Sequence, residues 1–231
     1  MTDPMTHGRR SLFDFGRLAR EYDRWYETPP GQAHDLVQRE DVGRLLRVGP
    51  AGERLLDVGC GTGHWSRFFV GMGYRVTGID IEPKMIEVAR AHLPTVSFQV
   101  ADACELPFAD ASFDVVASMA TLEFIPDPSM AVREMARCAK PGGTLLVGTL
   151  NRLAALNQQR LSEGKEPYVS AHLFSPDEVR SLLAPWGEVH IVASIPGERK
   201  TQPLLLGHLA RRLAMFRGRL RGPLIVAEVR R

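Results

Sequence analysis

The stretch Leu55-Leu56-Asp57-Val58-Gly59-Cys60-Gly61-Thr62-Gly63-His64-Trp65 decides how this chain reads. An apolar run meets a carboxylate and three alternating glycines, and an apolar segment from Trp65 to Met72 follows, which is the pattern of strand, tight turn and helix. Gly59, Gly61 and Gly63 let the backbone take dihedrals closed to other residues and let a ligand lie against bare main chain. The helix start aims its free N–H groups at the same spot. A dinucleotide fingerprint, G-x-G-x-x-G, seats a pyrophosphate there and uses a third glycine for close helix packing. Here that third place is His64, and Asp57, two residues before the first glycine, repels a pyrophosphate but attracts an ammonium group. The turn suits a nucleoside that carries an amino acid.

S-adenosylmethionine is such a nucleoside, and the second half of a site for it comes where a doubly wound unit puts it. Tyr74 to Ile79 reads as the next strand and ends in Asp80, 21 positions after Gly59, close to the roughly 20 expected for the acidic residue that grips ribose hydroxyls. Pro83 sits where a first helical turn tolerates proline, and Met85, Ile86, Val88 and Ala89 carry an apolar face up to Pro94. Val96 to Val100 is a third strand, followed directly by Asp102. Its carboxylate can accept from an adenine amino group while the N–H of Ala103 donates to a ring nitrogen; the plainer alternative is that Asp102 caps a turn. Phe113 to Ser118 reads as the fourth strand, Ser129 to Ala139 as a helix and Thr144 to Thr149 as a fifth strand after the turn Lys140-Pro141-Gly142-Gly143. Alternating strands and helices imply a parallel sheet with right-handed crossovers. Met119 to Glu123, at the carboxyl end of the fourth strand, lies where ligands bind in such sheets and is the expected floor under the methyl group.

With these motifs in place the chain resembles the class I S-adenosylmethionine-dependent methyltransferases. Val100-Ala101-Asp102-Ala103 with Leu106-Pro107-Phe108 is similar to that family's adenine-binding turn, and Phe113-Asp114-Val115-Val116 and Lys140-Pro141-Gly142-Gly143 to its fourth strand and the turn before its fifth. Thr121-Leu122-Glu123-Phe124-Ile125-Pro126-Asp127-Pro128 and the early Tyr22-Asp23-Arg24-Trp25-Tyr26 resemble its small-molecule branch, which includes ubiquinone and menaquinone biosynthesis enzymes. The resemblance implies an α/β, Rossmann-like methyltransferase fold: a mostly parallel seven-stranded sheet with an antiparallel edge hairpin, helices on both faces and an N-terminal helical lid. It divides the chain into a tail and lid over 1–50 and a methyltransferase core over 51–231, with a substrate cover inserted around 151–172 and a basic helix around 204–220. Residues and resemblance together place S-adenosyl-L-methionine against Tyr26, Asp57, Gly59, Cys60, Gly61, Gly63, Asp80, Ile81, Met85, Asp102, Ala103 and Met119.

The 231 residues fit one domain with additions, and 44% hydrophobic with 24% charged residues are ordinary globular values. A formal charge of +2 gives no argument for nucleic acid as a partner. Cys60, Cys104 and Cys138 have no metal spacing, and their odd number favours a reducing compartment, so the expected location is cytoplasmic. No apolar run approaches the roughly 18 to 20 residues of a membrane span, and Met1 to Arg10 reads as a polar tail without a signal-peptide core.

Outside the core the patterns are looser. Leu12, Phe15, Leu18, Tyr22 and Trp25 suggest short amphipathic helices, broken by Thr28-Pro29-Pro30-Gly31. Gln32 to Val48 reads as a helix with Leu36, Val37, Leu45 and Leu46 inward. Trp25 and Tyr26 either cover a cofactor as part of a lid or staple the N-terminal helices to the core. Asn151 to Ser170 has no clean period, whereas Ser175-Pro176-Asp177-Glu178 is a capping-box helix start. Val189 to Ile195 and Leu224 to Val229 read as the last strands. Between them Leu204 to Leu220 is amphipathic and arginine-rich, a pattern of a solvated face or of a helix lying on a membrane or an acidic partner.

Methyl transfer from a sulfonium is an in-line displacement in which positioning alone is worth roughly 7 to 11 kcal/mol in favourable cases. No catalytic residue is required, and His64, Glu123, Tyr26 and His172 are candidates for a base only where the acceptor is protonated. The expected acceptor is a small molecule. The alternatives are a nucleic-acid or protein methyltransferase, although neither an N-P-P-Y-like tetrad nor a Pro-Cys pair occurs, and a non-catalytic protein that only binds the cofactor. Asp80 allows a direct check: a carboxylate that accepts from two ribose hydroxyls makes charge-assisted bonds, so Asp80→Ala weakens cofactor binding by roughly 1.5 to 3 kcal/mol. Calorimetric titration of the folded variant measures this, and unchanged affinity removes Asp80 from the site.

Overall fold

The computed structural model describes residues 11–49, 52–195 and 220–231. Seven strands form one sheet in the order β3-β2-β1-β4-β5-β7-β6: β1 (Arg54–Val58), β2 (Arg75–Asp80), β3 (Ser97–Val100), β4 (Phe113–Met119), β5 (Ala139–Leu150), β6 (Val189–Val192) and β7 (Leu224–Arg230). The first five pair in parallel, and β7 inserts antiparallel between β5 and the edge strand β6. The mostly parallel sheet and the antiparallel edge hairpin are the architecture expected from the alternating pattern. Lys140 to Gly143 is not a separate turn before β5: Phe113 pairs with Ala139 and Val115 with Thr144, so the four residues loop out within the strand.

The period-2 alternation of β1 decides what each of its side chains meets. Leu56 and Val58 face the core formed with Met135 of α5 (Pro128–Cys138) and with Val179 and Leu183 of α7 (Pro176–Leu183). Leu55 faces the other layer, with Val42 of α2 (Pro29–Leu45) and Trp65 and Phe69 of α3 (His64–Gly71). Asp57 shares the parity of Leu55, which turns its carboxylate toward α3. Helix α4 (Pro83–His92) packs on β2 and β3, and α7 carries the expected capping box, with Ser175 and Glu178 each bonding the other's backbone N–H.

One expectation about the N-terminal region holds and another needs correction. Thr28-Pro29-Pro30-Gly31 does break the early helices, since the short helix Arg24–Glu27 ends at Thr28, and it also starts the next one: the Thr28 side chain accepts from Gly31 N–H, and proline occupies the first turn of α2, where its missing N–H costs nothing. Leu36 is 53% exposed, not inward. The buried face of α2 is set by Asp41 and Val42, and at about 100° per residue Leu36 lies more than 100° away from both. Asp41 accepts from the Ser194 N–H at 2.9 Å and hydroxyl at 2.6 Å, tying α2 to the chain after β6. Segment 151–172 contains a helix, α6 (Ala155–Ser162). The basic stretch read over 204–220 lies, except for Leu220, outside the described residues, as does the tail 1–10. Among the described residues no helix is long and apolar enough to cross a membrane.

Candidate active site

In the sheet order β1 and β4 are neighbours, but the chain leaves β1 toward β2 on one side and β4 toward β5 on the other. A crevice opens at the carboxyl ends of such a strand pair. There the structure has a cavity of about 380 Å³. Of the expected cofactor residues, Tyr26, Gly59, Cys60, Gly61, Asp80, Ile81, Met85, Asp102, Ala103 and Met119 all line it. Asp57 and Gly63 do not.

The glycines have different tasks. Gly59 (φ 72°) lies under Thr121, whose Cγ2 would stand 2.1 Å from an added Cβ and whose hydroxyl donates to the Gly59 carbonyl at 3.1 Å. Bare backbone at 59 is therefore already demanded by Thr121. Gly61 (φ 53°) has open space where a side chain would be, and its N–H donates to Asp80 Oδ2 at 2.9 Å. Gly63 (φ 88°) faces Leu93, Phe98 and Ala89, so it performs the close packing that the dinucleotide pattern assigns to the place held here by His64. Asp80 also accepts from Glu82 N–H at 2.9 Å and thereby braces both sides of the crevice. Asp102 does cap its own turn, accepting from Cys104 N–H at 2.8 Å, and it lines the cavity as well.

Asp57 is 1% exposed beneath the turn. Its Oδ2 accepts from Ser66 Oγ at 2.6 Å, and Oδ1 has no hydrogen-bond partner among the described residues. Burial, opposed by the Ser66 bond and reinforced by the charge of Asp80, pushes its carboxyl up to about 7. A buried carboxylate with a vacant acceptor lacks its cation, which is what the ammonium of an amino-acid-bearing nucleoside supplies. This chemistry fits the cofactor expected from the turn.

The N-terminal segment forms one wall of the cavity through Ser11, Phe13, Asp14, Phe15, Tyr22 and Tyr26. Leu12 N–H donates to the Phe124 carbonyl at 2.8 Å, and the Phe15 ring stands edge-on to Phe124. Thr62 Oγ1 donates to Asp23 at 2.6 Å. The Tyr26 ring stacks on His64 at 3.7 Å, and His64 Nε2 lies 2.7 Å from Asp35.

Sequence reading did not find the second cavity, of about 540 Å³, which shares Phe15, Tyr22, Tyr26, Trp65, Ala120 and Phe124 with the first. Glu123, Arg160 and Tyr168 also line it. Ala120 marks the shared wall with a left-handed backbone (φ 54°), strain of about 1 kcal/mol or more for a residue with a Cβ. Glu123 is fully buried, accepting from Thr149 Oγ1 at 2.9 Å and Leu150 N–H at 3.1 Å, and burial pushes it up to about 7 against those bonds. Of the other candidate bases, His64 is held by Asp35 and Tyr26, and His172 lines neither cavity, its ring lying edge-on to Phe174. The position of Glu123 follows from the rule for strand ends, whereas Arg160 and Tyr168 come from the stretch without a period and left no local signal.

A doubly wound sheet with a glycine turn, an acidic second-strand end and a buried acid below the turn defines a nucleoside-binding α/β protein. Comparison with known proteins makes this specific. Residues 56–147 match the family described as a methyltransferase domain. The chain is 38% identical over 162 residues to the ubiquinone biosynthesis O-methyltransferase of Xanthomonas axonopodis pv. citri, covering 65% of this chain and 67% of that protein. It is 36% identical over 138 residues to the malonyl-[acyl-carrier protein] O-methyltransferase of Serratia marcescens, covering 59% of this chain and 51% of that one. Among solved structures, a SAM-dependent methyltransferase of Thermotoga maritima, described as a possible histamine N-methyltransferase, aligns with a TM-score of 0.69 and 28% identity over 94% of this chain and 97% of that chain. The chain belongs to the class I S-adenosylmethionine-dependent methyltransferases, and S-adenosylmethionine is its cofactor.

The two raised carboxyls give a pH signature with a definite sign. Asp57 and Glu123 hold protons in the folded chain at pH values where the unfolded chain has released them, so their contribution to stability is full near pH 4 and falls as pH rises to about 7. Each proton contributes a slope of about 1.4 kcal/mol per pH unit. Burial moves Asp41 and Asp80 in the same direction, while Glu134, held low by Arg137, acts oppositely, its contribution being lost as pH falls below the ordinary carboxylate range. Denaturant unfolding of the ligand-free protein between pH 5 and 7.5 is therefore expected to show falling stability. Glu123→Gln and Asp57→Asn should each flatten the fall; an unchanged slope in both variants contradicts the buried protonated state.

Proposed function

We propose that the protein transfers a methyl group from S-adenosylmethionine, held in the first cavity, to a hydroxyl-bearing small molecule held in the second. The observation that carries this reading is the shared wall: two cavities meet at Tyr22, Tyr26, Ala120 and Phe124, at the carboxyl end of β4. The names of the O-methyltransferase relatives support oxygen as the acceptor atom and a small molecule as its carrier. When bound, the cofactor supplies a sulfonium methyl, whose C–S bond breaks as the oxygen–carbon bond forms.

In this reading Asp80 accepts from the ribose hydroxyls while it braces the Gly61 N–H. Asp57 faces the ammonium through the turn, Asp102 and Ala103 read the adenine, and Ile81 and Met85 lie against its ring. Met119 and Ala120 form the floor near the methyl group. Glu123 takes the proton that the acceptor hydroxyl releases; a carboxyl near 7 is poised to exchange it at neutral pH. The segment 11–31 acts as a lid, since a site that admits two substrates and then excludes water needs a movable wall.

Incubation with methyl-labelled S-adenosylmethionine and a pool of hydroxylated metabolites tests the activity: label is expected in an organic product, with S-adenosylhomocysteine formed in equal amount. Tight cofactor binding without transfer to any acceptor would instead identify a binding protein. Hydrogen exchange tests the lid. With S-adenosylhomocysteine added, slowing is expected to concentrate in residues 11–31 and the glycine turn, beyond the general slowing that mass action gives any bound protein. If the segment is already as protected as the central strands in the free chain, Trp25 and Tyr26 are fixed staples.

A further inference from the structure

Arg160 of α6 lines the second cavity with its guanidinium carbon 4.4 Å from the centre of the Tyr168 ring and 6.0 Å from that of Trp25. It is half-buried, its side chain's one hydrogen bond among the described residues is to Asn157 Oδ1 at 3.3 Å, and it has no carboxylate partner among them. The other flexible charges on this cavity are engaged. Lys165 pairs with Glu163 and Glu21 with Arg24, and Glu166 accepts from the Ser170 hydroxyl at 2.9 and 2.8 Å. His34, on the same wall, is lowered by burial and then by the charge of Arg160.

A guanidinium lying over an aromatic face gives up part of its rotamer freedom before any ligand arrives, and its fork matches a carboxylate in two parallel hydrogen bonds. Around it, Tyr22, Trp25, Tyr26 and Phe124 supply flat apolar surface that favours a ring over a flexible chain. We propose that the second cavity takes an aromatic acceptor bearing a carboxylate, with Arg160 as the partner of that anion. This rests on the assignment of the acceptor to the second cavity and narrows it to a chemical class.

Calorimetric titration of the full chain, saturated with S-adenosylhomocysteine, separates the two readings because it needs no turnover. 4-Hydroxybenzoate is expected to bind about tenfold or more tighter than its neutral analogue 4-hydroxybenzyl alcohol, the scale of one charge-assisted interaction. Arg160→Met should remove that preference while leaving affinity for S-adenosylhomocysteine and for the alcohol within about twofold, and Arg160→Lys should retain part of it. The proposal is overturned if the two probes bind alike, if Arg160→Met keeps the preference, or if neither probe binds to a chain that holds S-adenosylhomocysteine. Failure of the wild-type chain to bind S-adenosylhomocysteine overturns the cofactor reading and this proposal together.

Discussion

The constraint on which the rest of the structure depends is the reversal of winding between β1 and β4. Parallel strands can be joined only by crossovers, and once the chain winds outward from β1 in one direction and from β4 in the other, no connection covers the carboxyl ends of that pair. The glycine turn after β1 and the strained Ala120 after β4 are the two edges of the opening. Thr121 joins them by donating to the Gly59 carbonyl, so the crevice is bridged at its base by one side chain whose neighbour at 59 has to be glycine.

Acidic groups then give the opening its chemistry at a cost in stability. Asp57 and Glu123 are removed from water and Asp80 is half-buried, with no cation bonded to any of them; among the described residues their hydrogen-bond partners are hydroxyls and backbone N–H groups. Each hydrogen bond offsets part of the desolvation, and protonation offsets more, which is why the carboxyls of Asp57 and Glu123 are pushed up to about 7. The same arrangement lowers stability at neutral pH and suits the cationic, hydroxyl-rich nucleoside proposed for the first cavity. Stability and function pull against each other at Asp57 in particular, whose second oxygen has no protein partner.

The N-terminal segment walls the first cavity, and residues of the stretch 151–172 line the second. The N-terminal segment is tied to the core by Thr62 with Asp23, by His64 with Asp35 and by the backbone bond from Leu12 to Phe124, and the stretch 151–172 by the buried amides of Asn151 and Asn157, the Arg152–Glu178 pair and the His172 N–H on the Glu123 carbonyl. Aromatic contacts add to these ties, with Phe15 edge-on to Phe124 and Tyr26 stacked on His64, and keep the N-terminal wall apolar.

What the sequence by itself determined is what depends on neighbours a few residues apart. The glycines had to turn the chain, Asp80 had to fall at the end of β2, strands and helices had to alternate, and Ser175 with Glu178 had to start α7, because dihedral freedom, period and capping are local properties. The tertiary structure alone decided what depends on approach between distant segments. Thr28 could be seen as a helix cap only once Gly31 was bonded to it, and the buried face of α2 turned away from Leu36 because Asp41 meets Ser194, 153 residues later. Tertiary structure also set Asp57 beneath the turn, since the pleat of β1 and the packing of α3 point its carboxylate at Ser66. The second cavity was the least visible of all: its walls come from residues 15–26, α2, the end of β4, α6 and the loop after it, and no single segment carries a period that records such a meeting.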